Sequence, residues 1–249
     1  MADIIRTLVW DENPSHAPKA LYPESLNGAI AEALNRLGGG SIEAKRADLD
    51  MPEQGITHEA LANADVLLWW GHARHGEVSD ETVSRIVDRC HEHGLGLIVL
   101  HSGHYSKVFQ NVVRANGHLK GGWREMDPAE EERIRVCAPW HPIVKDVEDF
   151  ILDHEEMYGA PFDVPPPMAT ILQSFFPVSG DTFPSGLVWS VGKGIDPAFT
   201  SGGGGGVGQG EGVSRVFYFR PGHESVPTYH NPIVHKILFH AVKWCAHKA

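Results

Sequence analysis

Histidine is the residue whose placement in this sequence suggests chemistry. Sixteen of the 249 residues are His. Several stand in loops that follow apolar runs. His101-Ser102-Gly103-His104 comes directly after LGLIVL. A tight strand-to-helix turn exposes its residue above a sheet, so His101 is a candidate ligand or acid/base. Ser102 could be a nucleophile with His104 as its base, but the GxSxG context is missing. In Asp153-His154-Glu155-Glu156-Met157-Tyr158, strand alternation pairs Glu156 with Tyr158 or with His154. Acidic groups beside a phenol suit proton transfer or metal ligation; the plainer alternative is a solvated edge. Arg220-Pro221-Gly222-His223-Glu224 and Pro227-Thr228-Tyr229-His230 form the third cluster. Imidazole with carboxylate is the usual donor set for zinc, although the spacing matches no compact motif such as HExxH.

Strands and helices must position these groups. Ile4–Trp10 reads as a buried strand, followed by a loop that carries Glu12 and His16. Pro23 opens a helix with one apolar face (Leu26, Ile30, Leu34), and Gly38-Gly39-Gly40 ends it. Strands follow at Ile42–Leu49, at Ala64–Trp70 leading into His72, and at Leu95–Leu100 leading into His101. Between the last two, Ser79 caps a helix that stops at Gly94. This βαβ rhythm and the unbroken apolar runs predict a parallel sheet covered on both faces. In such sheets ligands bind beyond the carboxyl ends of the strands. The second half predicts strands at Arg133–Ala138, Phe150–Glu155, Thr170–Phe175, Gly186–Val191 and Arg215–Phe219. A final helix runs from Asn231-Pro232 to about Cys245.

Residues 195–214 are glycine-rich and read as a flexible surface insertion, deletion of which should leave the fold intact. A phosphate-cradling loop would need a following helix and a Lys-Ser/Thr pair, and neither is present. The net charge of −11 argues against nucleic-acid or anionic-membrane partners. No stretch approaches the ~20 apolar residues of a membrane span. The N-terminus lacks the pattern of a secretory leader, and three widely spaced cysteines suit a reducing compartment. A cytoplasmic protein of one domain, residues 1–249, is expected.

Taken together, LVWDEN, WWGH, LIVLHSGHYSK, HEEMYG and VFYFRPGHESVPTYHNP resemble the ThuA-like, or trehalose utilisation, family. The resemblance covers nearly the whole chain apart from the insertion. It implies an α/β fold: a three-layer αβα sandwich about a mainly parallel sheet, flavodoxin-like and class I glutamine amidotransferase-like. Amidotransferases place a nucleophilic Cys after the LIVL-type strand, where this sequence has His101-Ser102, so no glutaminase activity is expected. The family's recurring positions fall at His101, Glu156, Tyr158 and His223, and those of its closer branch at His16, His72, His104 and His230.

The resulting expectation is a metal-assisted enzyme acting on a disaccharide or its 3-keto derivative by isomerase, lyase or hydrolase chemistry. The alternative is a non-catalytic sugar-binding or regulatory module. Expected metal ligands, to a divalent ion such as zinc, are drawn from His16, His72, His101 and His223, with His104 a further candidate. Glu156, Tyr158 and His104 are the expected catalytic groups. Glu12, Arg220, Glu224, Tyr229 and His230 are the expected substrate contacts. The expected partner is a small-molecule sugar, and homo-oligomerisation is left open.

Overall fold

A computed structural model describes residues 4–125, 130–194 and 212–248. The expected insertion therefore lies almost wholly outside the described residues.

The strands, in chain order, are β1 (Ile5–Asp11), β2 (Ile42–Asp48), β3 (Val66–Trp70), β4 (Gly96–Leu100), β5 (His118–Leu119), β6 (Trp123–Arg124), β7 (Glu130–Val136), β8 (Phe150–Glu155), β9 (Met157–Tyr158), β10 (Phe162–Asp163), β11 (Ala169–Phe176), β12 (Asp181–Val191) and β13 (Ser214–Phe219). The α-helices are α1 (Ser25–Gly38), α2 (His58–Ala62), α3 (Asp80–His93), α4 (Lys107–Val113) and α5 (Pro232–Cys245). Among the described residues, nine strands form one sheet in the order β2-β1-β3-β4-β13-β12-β11-β7-β8. The first five are mutually parallel and have the flavodoxin-type order. The other four extend the sheet with antiparallel pairings. Strands from both halves of the chain thus share one sheet.

The unbroken apolar runs of β3 and β4 are buried at every position, because helices cover both faces. Alternate side chains divide between two cores. Leu68, Trp70, Ile98, Leu100 and Phe219 pack with Leu26, Ile30 and Leu34 of α1 and Ile237, Leu238 and Ala241 of α5. Leu67, Trp69, Leu97, Val99 and Tyr218 pack with Val83 and Ile86 of α3 and Phe109 and Val112 of α4. This is the expected three-layer sandwich. Local signals set the helix ends. Ser79 accepts a hydrogen bond from Thr82 N, and Gly94 ends α3 with φ of 78°. Asn231 caps α5, with Pro232 at its first position.

Sequence periodicity did not indicate α2, α4 or the short pairs β5–β10 and β6–β9. These are too short to show a period. Among the described residues no helix is long and apolar enough to cross a membrane.

Candidate functional site: three imidazoles and two buried carboxylates above the sheet

The carboxyl ends of β1, β3, β4 and β13 lie along one edge, and each delivers one part of the site. At the end of β1, the buried Asp11 carboxylate accepts hydrogen bonds from Ser25 Oγ (2.5 Å), Asn13 N (2.9 Å) and Asn27 N (3.0 Å), tying the loop to the start of α1. Next to it, Glu12 accepts from the backbone N–H groups of His72 (2.9 Å), Ala73 (2.6 Å) and Arg74 (3.0 Å). A carboxylate receiving three backbone donors is a rigid fixture. It holds the loop after β3 so that His72 faces inward. Trp70 Nε1 donates to Gly222 O at 2.9 Å, which clamps that strand to the loop after β13.

His101 follows β4 directly. It is 0 % exposed and has φ of +52°, an uncommon conformation for a residue with a side chain. The sharp turn directs its imidazole above the sheet edge. Ser106 secures the turn by donating to Gly103 O (2.6 Å) and capping α4. His223, after β13, is pinned through Nδ1 by Ser225 Oγ at 2.7 Å.

These loops converge. Ring centroids lie 4.9 Å apart for His72–His223, 5.2 Å for His72–His101 and 5.4 Å for His101–His223. His72, His101, His223 and Glu224 each present a donor atom, all within 4.8 Å of one another, a set able to hold a metal ion. Glu224 Oε1 receives His72 Nδ1 at 2.8 Å and also His16 Nε2. Its Oε2 is buried without a hydrogen-bond donor among the described residues, as is Glu156 Oε2. Glu156 Oε2 lies 3.4 Å from His101 Nε2.

The environment sets the protonation states. Burial pushes the pKa of His101 well below its ordinary value, helped by the neighbouring His223 and His72. Burial also lowers His223. Neutral imidazoles are the form that ligates metals. Burial acts against the charge on His72 too, but the hydrogen bond and charge of Glu224 outweigh it and the pKa rises. Burial tends to raise Glu224, yet His72 and His223 hold it down at about 2. Glu156 is raised to about 7, chiefly by burial, against the opposing pull of His72 and Arg220.

Of the four histidines expected as ligands, three meet as a cluster. His16 does not join them; half exposed, it contacts Glu224 from outside. Glu224, expected as a substrate contact, takes the fourth place in the donor set. Glu12 shows its role in the three backbone hydrogen bonds above: it positions His72. Arg220 is fully buried. It pairs with Glu132, lies 3.6 Å from Glu155, and donates to the backbone carbonyl of Glu156 at 2.5 Å. It therefore fixes the Glu156 segment from below and is closed to a substrate. Tyr229 is equally buried, with its hydroxyl near Pro221 O. His230 bonds Leu21 O and stacks on Tyr22. His104, expected as a catalytic group, is fully buried. Its Nδ1 donates to Gly117 O at 2.7 Å, and burial depresses its pKa to about 3. It packs against Tyr158 and Phe162. Ser102 Oγ pairs with Tyr158 OH at 2.5 Å rather than with an imidazole, so the serine–histidine pair is not formed.

The buried carboxylates Glu132 and Glu155 had no counterpart among the site residues expected from sequence. Glu155 accepts from Gly222 N at 2.9 Å and from Thr228. Glu130 and Glu132 are buried on alternate positions of β7, and this period-2 placement within an acid run was the available signal.

Among solved structures, this chain is similar to a protein described as a GMP synthase subunit from Thermoplasma acidophilum. The identity is 10 %, covering 98 % of this chain and 95 % of that one, with a TM-score of 0.46. It is also similar to the glutaminase domain of Trypanosoma brucei CTPS with bound acivicin, at 11 % identity, 98 % and 94 % coverage, and a TM-score of 0.45. No curated protein matches it. The model of the ThuA family, described as trehalose utilisation, matches residues 6–245, and the chain belongs to that family.

Proposed function

We propose that this protein is a metal-assisted enzyme acting on a disaccharide or its 3-keto derivative. The observation that carries the reading is the convergence of His72, His101, His223 and Glu224 to within 4.8 Å, with Glu156 3.4 Å from His101. The donor set fits a divalent ion. Two of its imidazoles are held neutral by burial, and the buried Glu224 Oε2 meets no donor. Zinc is the first choice for three nitrogens and a carboxylate. Bound there, it would polarise a keto or hydroxyl oxygen of the sugar.

The chain's own groups supply proton transfer. With its pKa raised to about 7, Glu156 can both accept and return a proton near neutral pH. Its unpartnered Oε2 is the atom suited to remove a proton alpha to a keto group. Arg220 holds the Glu156 backbone in place. Tyr158, with its hydroxyl shared between Ser102 and the His101 ring, orients the imidazole and the substrate oxygen. Isomerisation or lyase cleavage uses Glu156 as a carbon base, and hydrolysis uses it to activate water. The serine-hydrolase reading loses support, because Ser102 is paired with Tyr158. Three free cysteines agree with a reducing, cytoplasmic setting.

The test is turnover of 3-keto-trehalose by wild type and E156Q at equal metal content. The variant should keep its metal and lose activity by about 10²-fold or more. Full turnover by E156Q contradicts the proposal.

A further inference from the structure

A pyranose ring has a flat C–H face and a polar rim, and proteins meet such faces with aromatic surfaces. Exposed single tryptophans are common, so placement decides which one matters. Among the described residues two are well exposed, Trp123 (63 %) and Trp140 (78 %). Trp140 belongs to the turn beside His141, which packs on Trp244 of α5.

Trp123 is tied directly to the candidate site. Strand β6 pairs antiparallel with β9, setting Trp123 opposite Tyr158 and Arg124 opposite Met157. The pairing continues through Gly121 N to Gly159 O (3.2 Å) and Gly159 N to Gly122 O (2.8 Å). Gly121 and Gly159 pass so close that a Cβ on either would meet the opposing backbone at 2.5–2.6 Å. The segment bearing Trp123 is therefore clasped against the one bearing Glu156 and Tyr158. Side chains alternate along it. Arg124 turns inward to Glu130 at 2.6 Å, so Trp123 and Glu125 turn the other way. Opposite residues of an antiparallel pair share a face, so Trp123 stands on the side of Tyr158, whose hydroxyl reaches the His101 ring at 3.4 Å.

We infer that Trp123 is the stacking platform for one ring of the sugar, a specificity residue that places the other ring over Glu156 and the imidazoles. The inference rests on the carbohydrate reading of the site. Its test is titration calorimetry with trehalose, together with turnover of 3-keto-trehalose, on wild type, W123A, W123L, W123F and W140A. W123L keeps apolar bulk without a ring, and W123F keeps a ring. W123A and W123L should weaken trehalose binding about tenfold, or ~1.4 kcal/mol, and raise KM with kcat held within about twofold. W123F should recover most of the loss, and W140A should match wild type. Wild-type affinity in W123A and W123L overturns the inference alone. A wild type that binds neither sugar overturns the carbohydrate reading and the inference with it.

Discussion

Replacing Glu156 by Gln should stabilise the metal-free protein, and the gain should grow with pH. Burial raises this carboxyl from an ordinary 4.5 to about 7. The folded protein therefore keeps the proton until about pH 7, whereas the unfolded chain releases it from about pH 4.5. Stability linked to Glu156 is fully present below pH 4.5 and is lost as the pH rises toward 7. At about 1.4 kcal/mol per pH unit, the loss reaches ~3 kcal/mol. Gln has the same shape and no proton to lose, so it is free of this slope. For a chain of this length the difference corresponds to roughly 6–12 °C in Tm. The assay is urea denaturation of wild type and E156Q in the presence of a chelator, from pH 4.5 to 8. The chelator keeps a bound cation from altering the shift, and the comparison cancels other titrations. A stability difference that stays flat across this range, or that favours wild type at pH 8, refutes the argument that burial raises this group.

Three further outcomes follow from the same contacts. H72A, H101A and H223A should each lower bound metal in elemental analysis, whereas H16A and H230A should retain it, since neither residue is in the donor cluster. R220M leaves Glu132 and Glu155 buried without their cation and should cost about 3–5 kcal/mol at pH 8. The penalty should shrink near pH 5.5 as the orphaned carboxyls take up protons, and equal costs at both pH values would count against the network. Ser102, bonded to Tyr158, should resist labelling by a fluorophosphonate, and S102A should retain at least roughly a tenth of wild-type turnover; stoichiometric labelling with loss of activity would restore the serine-nucleophile reading.

The parallel half of the fold was legible because its strands are continuous apolar runs and its helix ends carry Ser79, Gly94 and Asn231-Pro232 in their usual places. The convergence of the His72, His101 and His223 loops followed from the strands that precede them. Which carboxylate joins them did not follow. Glu224 and Glu156 each stand beside a second titratable residue in sequence, and tertiary packing buries both members of each pair. Strand alternation failed at Glu155-Glu156, because β8 ends at Glu155 and β9 begins at Met157. The break lets both carboxylates be buried. The Arg220–Glu132 pair spans 88 residues, a separation that no local pattern encodes. An acid run such as 130–132 resembles a solvated edge until its strand is placed beside β11 and β8.

The most direct test of the central claim joins two readings on one preparation. Protein purified without a His-tag is analysed for metals and assayed on 3-keto-trehalose, then assayed again after chelation and after zinc is restored. The account predicts about one divalent ion per chain, loss of turnover with its removal, and recovery on its return. Metal-free protein with undiminished turnover would contradict it.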